Sequence, residues 1–189
     1  MSVLKEVYSY KESGRDYSDY DLEITGHSLG GSLAQLLSFI LAGSKEADFI
    51  PKPVTAITWA SPVVGNKKFF LDYRDLEKSN KVRHIRVSNR NDVIACSPGL
   101  GITKPYWQTG VNIYLKSTNK KAEVKYENTR SIISQTSPIS LKAHSLYKGS
   151  RSYYKRLFAK EEGTDSYINS DILEKSVEEL YKEYAKLQD

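Results

Sequence analysis

The apolar positions of this chain change rhythm several times, and the changes outline alternating strands and helices. Asp21-Leu22-Glu23-Ile24-Thr25 alternates polar with apolar, which predicts a short strand over 21–25. Residues 32–42, dominated by Leu, Ala and Ile with Phe39, follow at once and predict a buried helix near 28–43. Apolar runs near 54–60 and 81–88 read as further strands, and the alternating stretch 111–127 reads as a hairpin. Helical spacing recurs near 65–78, 147–161 and 171–187. Ahead of the first strand, the spacing Val3, Leu4, Val7, Tyr8 predicts one helix packed beside the sheet. Strands that alternate with helices in this way predict an α/β class, a mainly parallel sheet flanked by helices.

The pattern also divides the chain. Residues 1–160 form the α/β domain, and 161–189 read as an acidic linker followed by an amphipathic helix. Gly163 among charged neighbours marks the linker over 161–169. Asp171 and Glu174 can form a capping box, and Leu173, Val177, Leu180, Tyr184 and Leu187 make one apolar stripe beyond it. Such a helix packs back on its own domain, because a coiled coil wants more heptads.

Composition narrows the class. A chain of 189 residues accommodates one domain with a real core. The mean hydropathy is −0.52 and the longest apolar stretch, around 36–42, is too short to span a bilayer. Cys96, the one cysteine, rules out an internal disulfide framework and reads as a small buried residue. It fits a reducing compartment. With the early charges Lys5 and Glu6, which argue against a signal peptide, that favours the cytoplasm if Met1 is the true start. Three scattered histidines supply no metal-ligand cluster, no phosphate-binding loop is present, and no cofactor is expected.

Charge is uneven. Residues 104–160 hold twelve Lys/Arg against two Glu, and 161–189 hold nine acids against three Lys. The plainer reading is a solvated face partly neutralised by the acidic tail. The functional alternative is peripheral contact with an anionic lipid surface. No nucleic-acid reader motif accompanies the positive charge, so nucleic acid is not an expected partner.

The chemistry concentrates where the first strand meets its helix. Gly26-His27-Ser28-Leu29-Gly30 is a G-x-S-x-G turn between strand and helix, the setting of a nucleophile elbow. The tight turn strains the serine backbone, and glycine at 26 and 30 is expected to remove collisions with the flanking elements. The Ser28 oxygen then sits at a helix N-terminus, where the Leu29 backbone N–H can stabilise an oxyanion.

A serine nucleophile needs a base and an acid, which in this architecture follow in the order acid, then histidine. His27 adjoins the serine and must point its ring away from the Ser28 oxygen. His84 lies in a strand-like stretch and reads as a packed or surface residue. His144, at a loop-to-helix boundary, is the eligible base. Eight carboxylates separate it from Ser28. Glu46 and Asp48 follow the first helix, Asp72, Asp75 and Glu77 lie on the second, and Glu123 and Glu127 belong to a Lys-rich stretch resembling a solvated hairpin. Asp92 stands just past a strand end, where catalytic groups of α/β sheets gather. It reads either as the acid that orients His144 or as a turn aspartate capping its own backbone. The elbow and the eligible histidine favour the acid.

At these residues the chain resembles the class 3 (fungal-type) lipases, a branch of the α/β-hydrolases. The matching pieces are the elbow 24–34, Thr58-Trp59-Ala60-Ser61-Pro62-Val63-Val64-Gly65-Asn66, the stretch 86–94 around Asp92, and Ala143-His144-Ser145-Leu146-Tyr147. The resemblance covers roughly residues 20–150 and assigns Ser28, Asp92 and His144 to the family's catalytic serine, aspartate and histidine. It implies a partial α/β-hydrolase fold and hydrolysis of a lipid ester through an acyl-enzyme, in the manner of a triacylglycerol lipase. Phospholipase A1 or small-ester esterase activity stays open, as does a catalytically weak remnant retained for binding. Family members also carry an upstream strand that supplies a second oxyanion donor, and a lid. Residues 1–20 read as a single helix instead, so the N-terminal part of the family domain is expected to be missing here. Loss of one oxyanion donor typically costs about 10²–10³ in rate.

Overall fold

The computed structural model describes residues 1–12, 15–89, 92–95, 106–115, 123–126, 141–148, 152–153, 179 and 182. Helix α1 (Ser2–Ser9) leads into a two-residue ladder, β1 (Lys11–Glu12) with β2 (Arg15–Asp16). Strand β3 (Glu23–His27) follows, then α2 (Leu29–Gly43), β4 (Val54–Trp59), α3 (Lys67–Lys78) and β5 (Val82–Asn89). Strands β6 (Val111–Leu115) and β7 (Glu123–Tyr126) complete the sheet. Two short 3₁₀ turns, Lys45–Ala47 and Leu141–His144, stand between elements.

The strands lie side by side in chain order, β3-β4-β5-β6-β7. The first four are mutually parallel and β7 runs antiparallel to β6. Parallel neighbours need long crossovers, and α2 and α3 supply them for β3-β4 and β4-β5. Strand β3 reaches two residues further than 21–25, because Gly26 and His27 pair with Thr58 and Trp59. Helix α3 begins two residues later than expected. Asn66 caps it by accepting the Phe69 N–H at 3.1 Å, while Gly65 bridges to Trp107.

Two expectations fail here. The helix after the elbow is not buried as a whole. Helix α2 turns Gly31, Ser32, Ala34, Gln35, Ser38, Leu41 and Ala42 inward and leaves Leu29, Leu33, Leu37 and Ile40 exposed. The cause is distance: a helix leaving a strand through so tight a turn lies close to the sheet, and a Cβ at Gly31 would fall 2.9 Å from Ser61 Cβ. Large side chains have no room on that face near the elbow. The stretch opening at 111 is likewise not a solvated hairpin in its first arm, since Val111, Asn112, Ile113 and Leu115 are buried beside β5.

The core combines apolar clusters with a polar seam. Tyr8, Leu41, Ala47, Ile50 and Val54 pack together with Leu4, Leu22, Ile24 and Phe49, which seats α1 beside β3 as its spacing predicts. Ala42, Tyr73 and Val82 form a second cluster with Phe39, Phe69 and Leu76. Between helices and sheet, Gln35 Nε2 donates to Thr109 Oγ1 at 2.7 Å. His84 is 2% exposed and places Nδ1 at 2.9 Å from Thr109 Oγ1 and Nε2 at 3.0 Å from Thr58 Oγ1. Burial, helped by the Arg86 charge, pushes its pKa down to about 3. His84 is therefore a satisfied, neutral core residue. Gly110, at φ +75°, passes so close that a Cβ would meet the His84 carbonyl oxygen at 2.5 Å.

Cys96 and the linker 161–169 fall outside the described residues, as do nearly all of the expected helices 147–161 and 171–187 and most of the basic segment 104–160. Among the described residues no helix is long and apolar enough to cross a membrane.

Candidate active site

Ser28 stands between β3 and α2 with φ 58° and ψ −127°. A non-glycine residue held there costs on the order of 1–3 kcal/mol, so the surrounding structure must over-determine it. The constraint is visible on both sides. The Ser28 N–H donates to the Trp59 carbonyl at 2.9 Å, prolonging the β3–β4 ladder, while its own carbonyl accepts the Gly31 N–H at 2.9 Å as the helix starts. Gly26 makes the turn possible, since a Cβ there would lie 2.2 Å from the Gly30 carbonyl oxygen. Gly30, by contrast, faces open space. The second glycine that the turn demands is Gly31, which sits against Ser61.

A serine at a helix N-cap ordinarily accepts a hydrogen bond from its own helix. Ser28 makes no such cap. Its twisted backbone aims the hydroxyl outward, and Oγ lies 2.8 Å from His144 Nε2. Leu29 is the first residue of α2, so its N–H lacks an intrahelical acceptor and belongs to the positive end of the helix.

Asp92 follows β5 by three residues, with its N–H bonded to the Asn89 carbonyl at 3.1 Å. The contacts of this residue have the geometry of both sequence readings. Asp92 Oδ1 accepts the N–H of Ile94 at 2.9 Å and of Ala95 at 3.4 Å, as a turn aspartate does. Both carboxylate oxygens also lie 3.1 Å from His144 Nδ1. The Asp92 side chain is wholly buried and that of His144 is 19% exposed. A carboxylate can only accept, which assigns the proton to Nδ1 and leaves Nε2 to accept the Ser28 hydroxyl. The structure thus brings Ser28, Asp92 and His144, selected by chain order and elimination, into one hydrogen-bonded line.

Two further residues belong to the site. His27 Nε2 donates to the His144 carbonyl oxygen at 2.9 Å, with the two rings 4.8 Å apart. Tyr153 is fully buried and donates its hydroxyl proton to Asp92 Oδ2 at 2.7 Å. No local pattern singles out one tyrosine among 14. What identifies Tyr153 is its contact with Asp92, 61 residues away along the chain. Among the described residues no group of His, Cys, Asp and Glu is disposed to hold a metal ion.

A parallel sheet crossed by helices, with a strained serine between strand and helix, defines an α/β-hydrolase fold. The chain belongs to the lipase (class 3) family, whose model matches residues 2–101. It is similar to Phospholipase A1-Igamma2, chloroplastic, of Arabidopsis thaliana, at 41% identity over 105 residues, covering 52% of this chain and 19% of that protein. Triacylglycerol lipase OBL1 of the same plant is 26% identical over 125 residues, 66% of this chain and 23% of that protein. Among solved structures, a lipase from Rhizopus microsporus var. chinensis superimposes with a TM-score of 0.52 at 23% identity, covering 80% of this chain and 46% of that one. That likeness concerns the fold. The chain spans about a fifth of the length of the curated relatives it matches.

Proposed function

We propose that this chain carries serine-hydrolase chemistry directed at the acyl esters of glycerolipids. The observation that supports it best is the hydroxyl of Ser28, held off its own helix and 2.8 Å from His144 Nε2. In the proposed cycle Ser28 Oγ attacks the ester carbonyl as its proton passes to Nε2. Asp92 holds the imidazole by Nδ1 and stabilises its cation, without taking the proton. The Leu29 N–H binds the oxyanion of the tetrahedral intermediate. Collapse expels the alcohol, which receives the proton from His144 and leaves an acyl ester on Ser28. Water, deprotonated at Nε2, attacks that ester, and the second intermediate releases the fatty acid.

For the substrate we favour a phospholipid over triacylglycerol. The relative named as a phospholipase A1 is 41% identical, the one named as a triacylglycerol lipase 26%. Two measurements on the purified chain test the proposal. A fluorophosphonate ester should label Ser28, and Ser28→Ala should abolish the label; unlabelled native protein would sink the chemistry. Fatty acid release from phosphatidylcholine should exceed release from triolein, and the reverse order would overturn the substrate.

A further inference from the structure

We infer that Tyr153 is a positioning residue for the reaction, setting the rotation of the Asp92 carboxylate and through it the tautomer of His144. The inference rests on the Ser28, Asp92 and His144 roles proposed above and adds a fourth residue to them.

Geometry fixes the direction of the bond. A phenol has one proton to give. The Tyr153 oxygen already accepts the backbone N–H of Asn89 at 2.9 Å, and an N–H cannot accept in return. The proton therefore points at Asp92 Oδ2, 2.7 Å away, a short charge-assisted bond. Asn89 is the last residue of β5, so the phenol hangs from the sheet and reaches the carboxylate from a rigid base. The two carboxylate oxygens are held separately: Oδ1 by the N–H groups of Ile94 and Ala95, Oδ2 by Tyr153. With both ends fixed, the carboxylate cannot swing away from Nδ1, which it meets at 3.1 Å through each oxygen.

The same anchor holds the histidine segment. Tyr153 N–H donates to the Ser145 carbonyl at 3.1 Å, and Asn89 Nδ2 donates to the Ala143 carbonyl at 3.0 Å. These bonds bracket His144 on either side. The Tyr153 ring lies edge-on to His27, 6.3 Å between centroids, and His27 holds the His144 carbonyl. Two jobs are thus combined in Tyr153. Its ring and backbone pack the segment, whereas its hydroxyl orients the acid.

Removing the hydroxyl separates them. Tyr153→Phe keeps the ring and should lower kcat for p-nitrophenyl butyrate roughly 10- to 100-fold, the range spanned by one hydrogen bond to a charged group. KM should stay within about twofold. In an Asp92→Ala background the same change should cost less than about twofold, because the group it acts through is gone. Equal losses in both backgrounds would reduce Tyr153 to packing and overturn the inference, as would full activity in the single variant.

A second readout needs no turnover. ¹⁵N-histidine spectra, with His144 assigned through His144→Gln, should show the Nδ1–H tautomer in the native protein and a mixture of tautomers in Tyr153→Phe. An unchanged tautomer would overturn the inference even if ester hydrolysis is robust. A changed tautomer in protein that fluorophosphonate fails to label would uphold the orienting action of Tyr153 on Asp92 and His144 and remove the proposed function instead. If the Phe variant does not fold, 3-fluorotyrosine at 153 retains size and hydroxyl while strengthening the donor. The His144 Nδ1 proton resonance should then move upfield as Asp92 is shared more strongly with the phenol, and an unmoved resonance would be decisive against the role.

Discussion

At Ser28 one residue reconciles two local rules that usually agree. A serine before a helix is a good N-cap, and a residue at φ 58° should be glycine. Ser28 declines the cap and keeps the strained backbone, and both departures point the hydroxyl at His144. The glycines around it divide by what they touch. Gly30→Ala should be neutral or stabilise by up to about 1 kcal/mol, since its Cβ meets nothing and alanine favours the helix. Gly31→Ala should cost about 1–3 kcal/mol, because Ser61 Cβ stands 2.9 Å from the new methyl and the Gly26 carbonyl oxygen 3.1 Å from it. Urea unfolding of the two variants checks this, and equal midpoints would show that the helix simply shifts outward. The sequence motif marks the first and last glycines of G-x-S-x-G. It has no way of marking Gly31, whose constraint comes from Pro62's neighbour across the sheet.

At the level of elements, α2 reverses the ordinary rule of amphipathicity. Leu29, Leu33, Leu37 and Ile40 lie outward, while Gly31, Ser32, Ala34, Gln35 and Ser38 turn inward ahead of Leu41. Periodicity reads which residues share a face of a helix, but not which face lies against the core. The elbow decides that, by fixing the first turns of the helix so near the strands that a large side chain has no room there, whereas Leu41 enters the core further along. Changing Leu33 and Leu37 together to Gln should therefore alter stability by less than about 1 kcal/mol, as surface substitutions do. Ala34→Leu, on the face that apolarity would have named as exposed to solvent, should cost about 1–3 kcal/mol by overpacking. Denaturant midpoints in the opposite order would mean that α2 is rotated about its axis.

Across the whole molecule, the polar seam centred on His84 couples folding to pH. Burial and Arg86 hold His84 neutral, with its pKa near 3, whereas in the unfolded chain it takes a proton below about 6.5. Between those values the unfolded state binds the extra proton, so acid favours unfolding. The stability linked to His84 is complete above about pH 6.5 and declines towards pH 3, by about 1.4 kcal/mol per pH unit. His84→Gln removes the titrating group. The stability advantage of the native protein over this variant should shrink from pH 7 to pH 4, and a constant gap would show that His84 shares its proton in the folded state.

What the sequence determined by itself is whatever depends on order and residue type along the chain. Alternating strands and helices required a mainly parallel sheet, G-x-S-x-G between strand and helix located Ser28, and chain order with three histidines led to His144 and then to Asp92. The tertiary structure decided what depends on distance across the chain. Tyr153 lies 61 residues from Asp92 and 64 from Asn89, and no periodicity links positions so far apart. His27 grips the backbone of His144 across 117 residues for the same reason, and the buried face of α2 was set by the closeness of Ser61. Patterns in a sequence report the local geometry of one element; steric contact and hydrogen-bond direction between elements exist only once the sheet has brought them together.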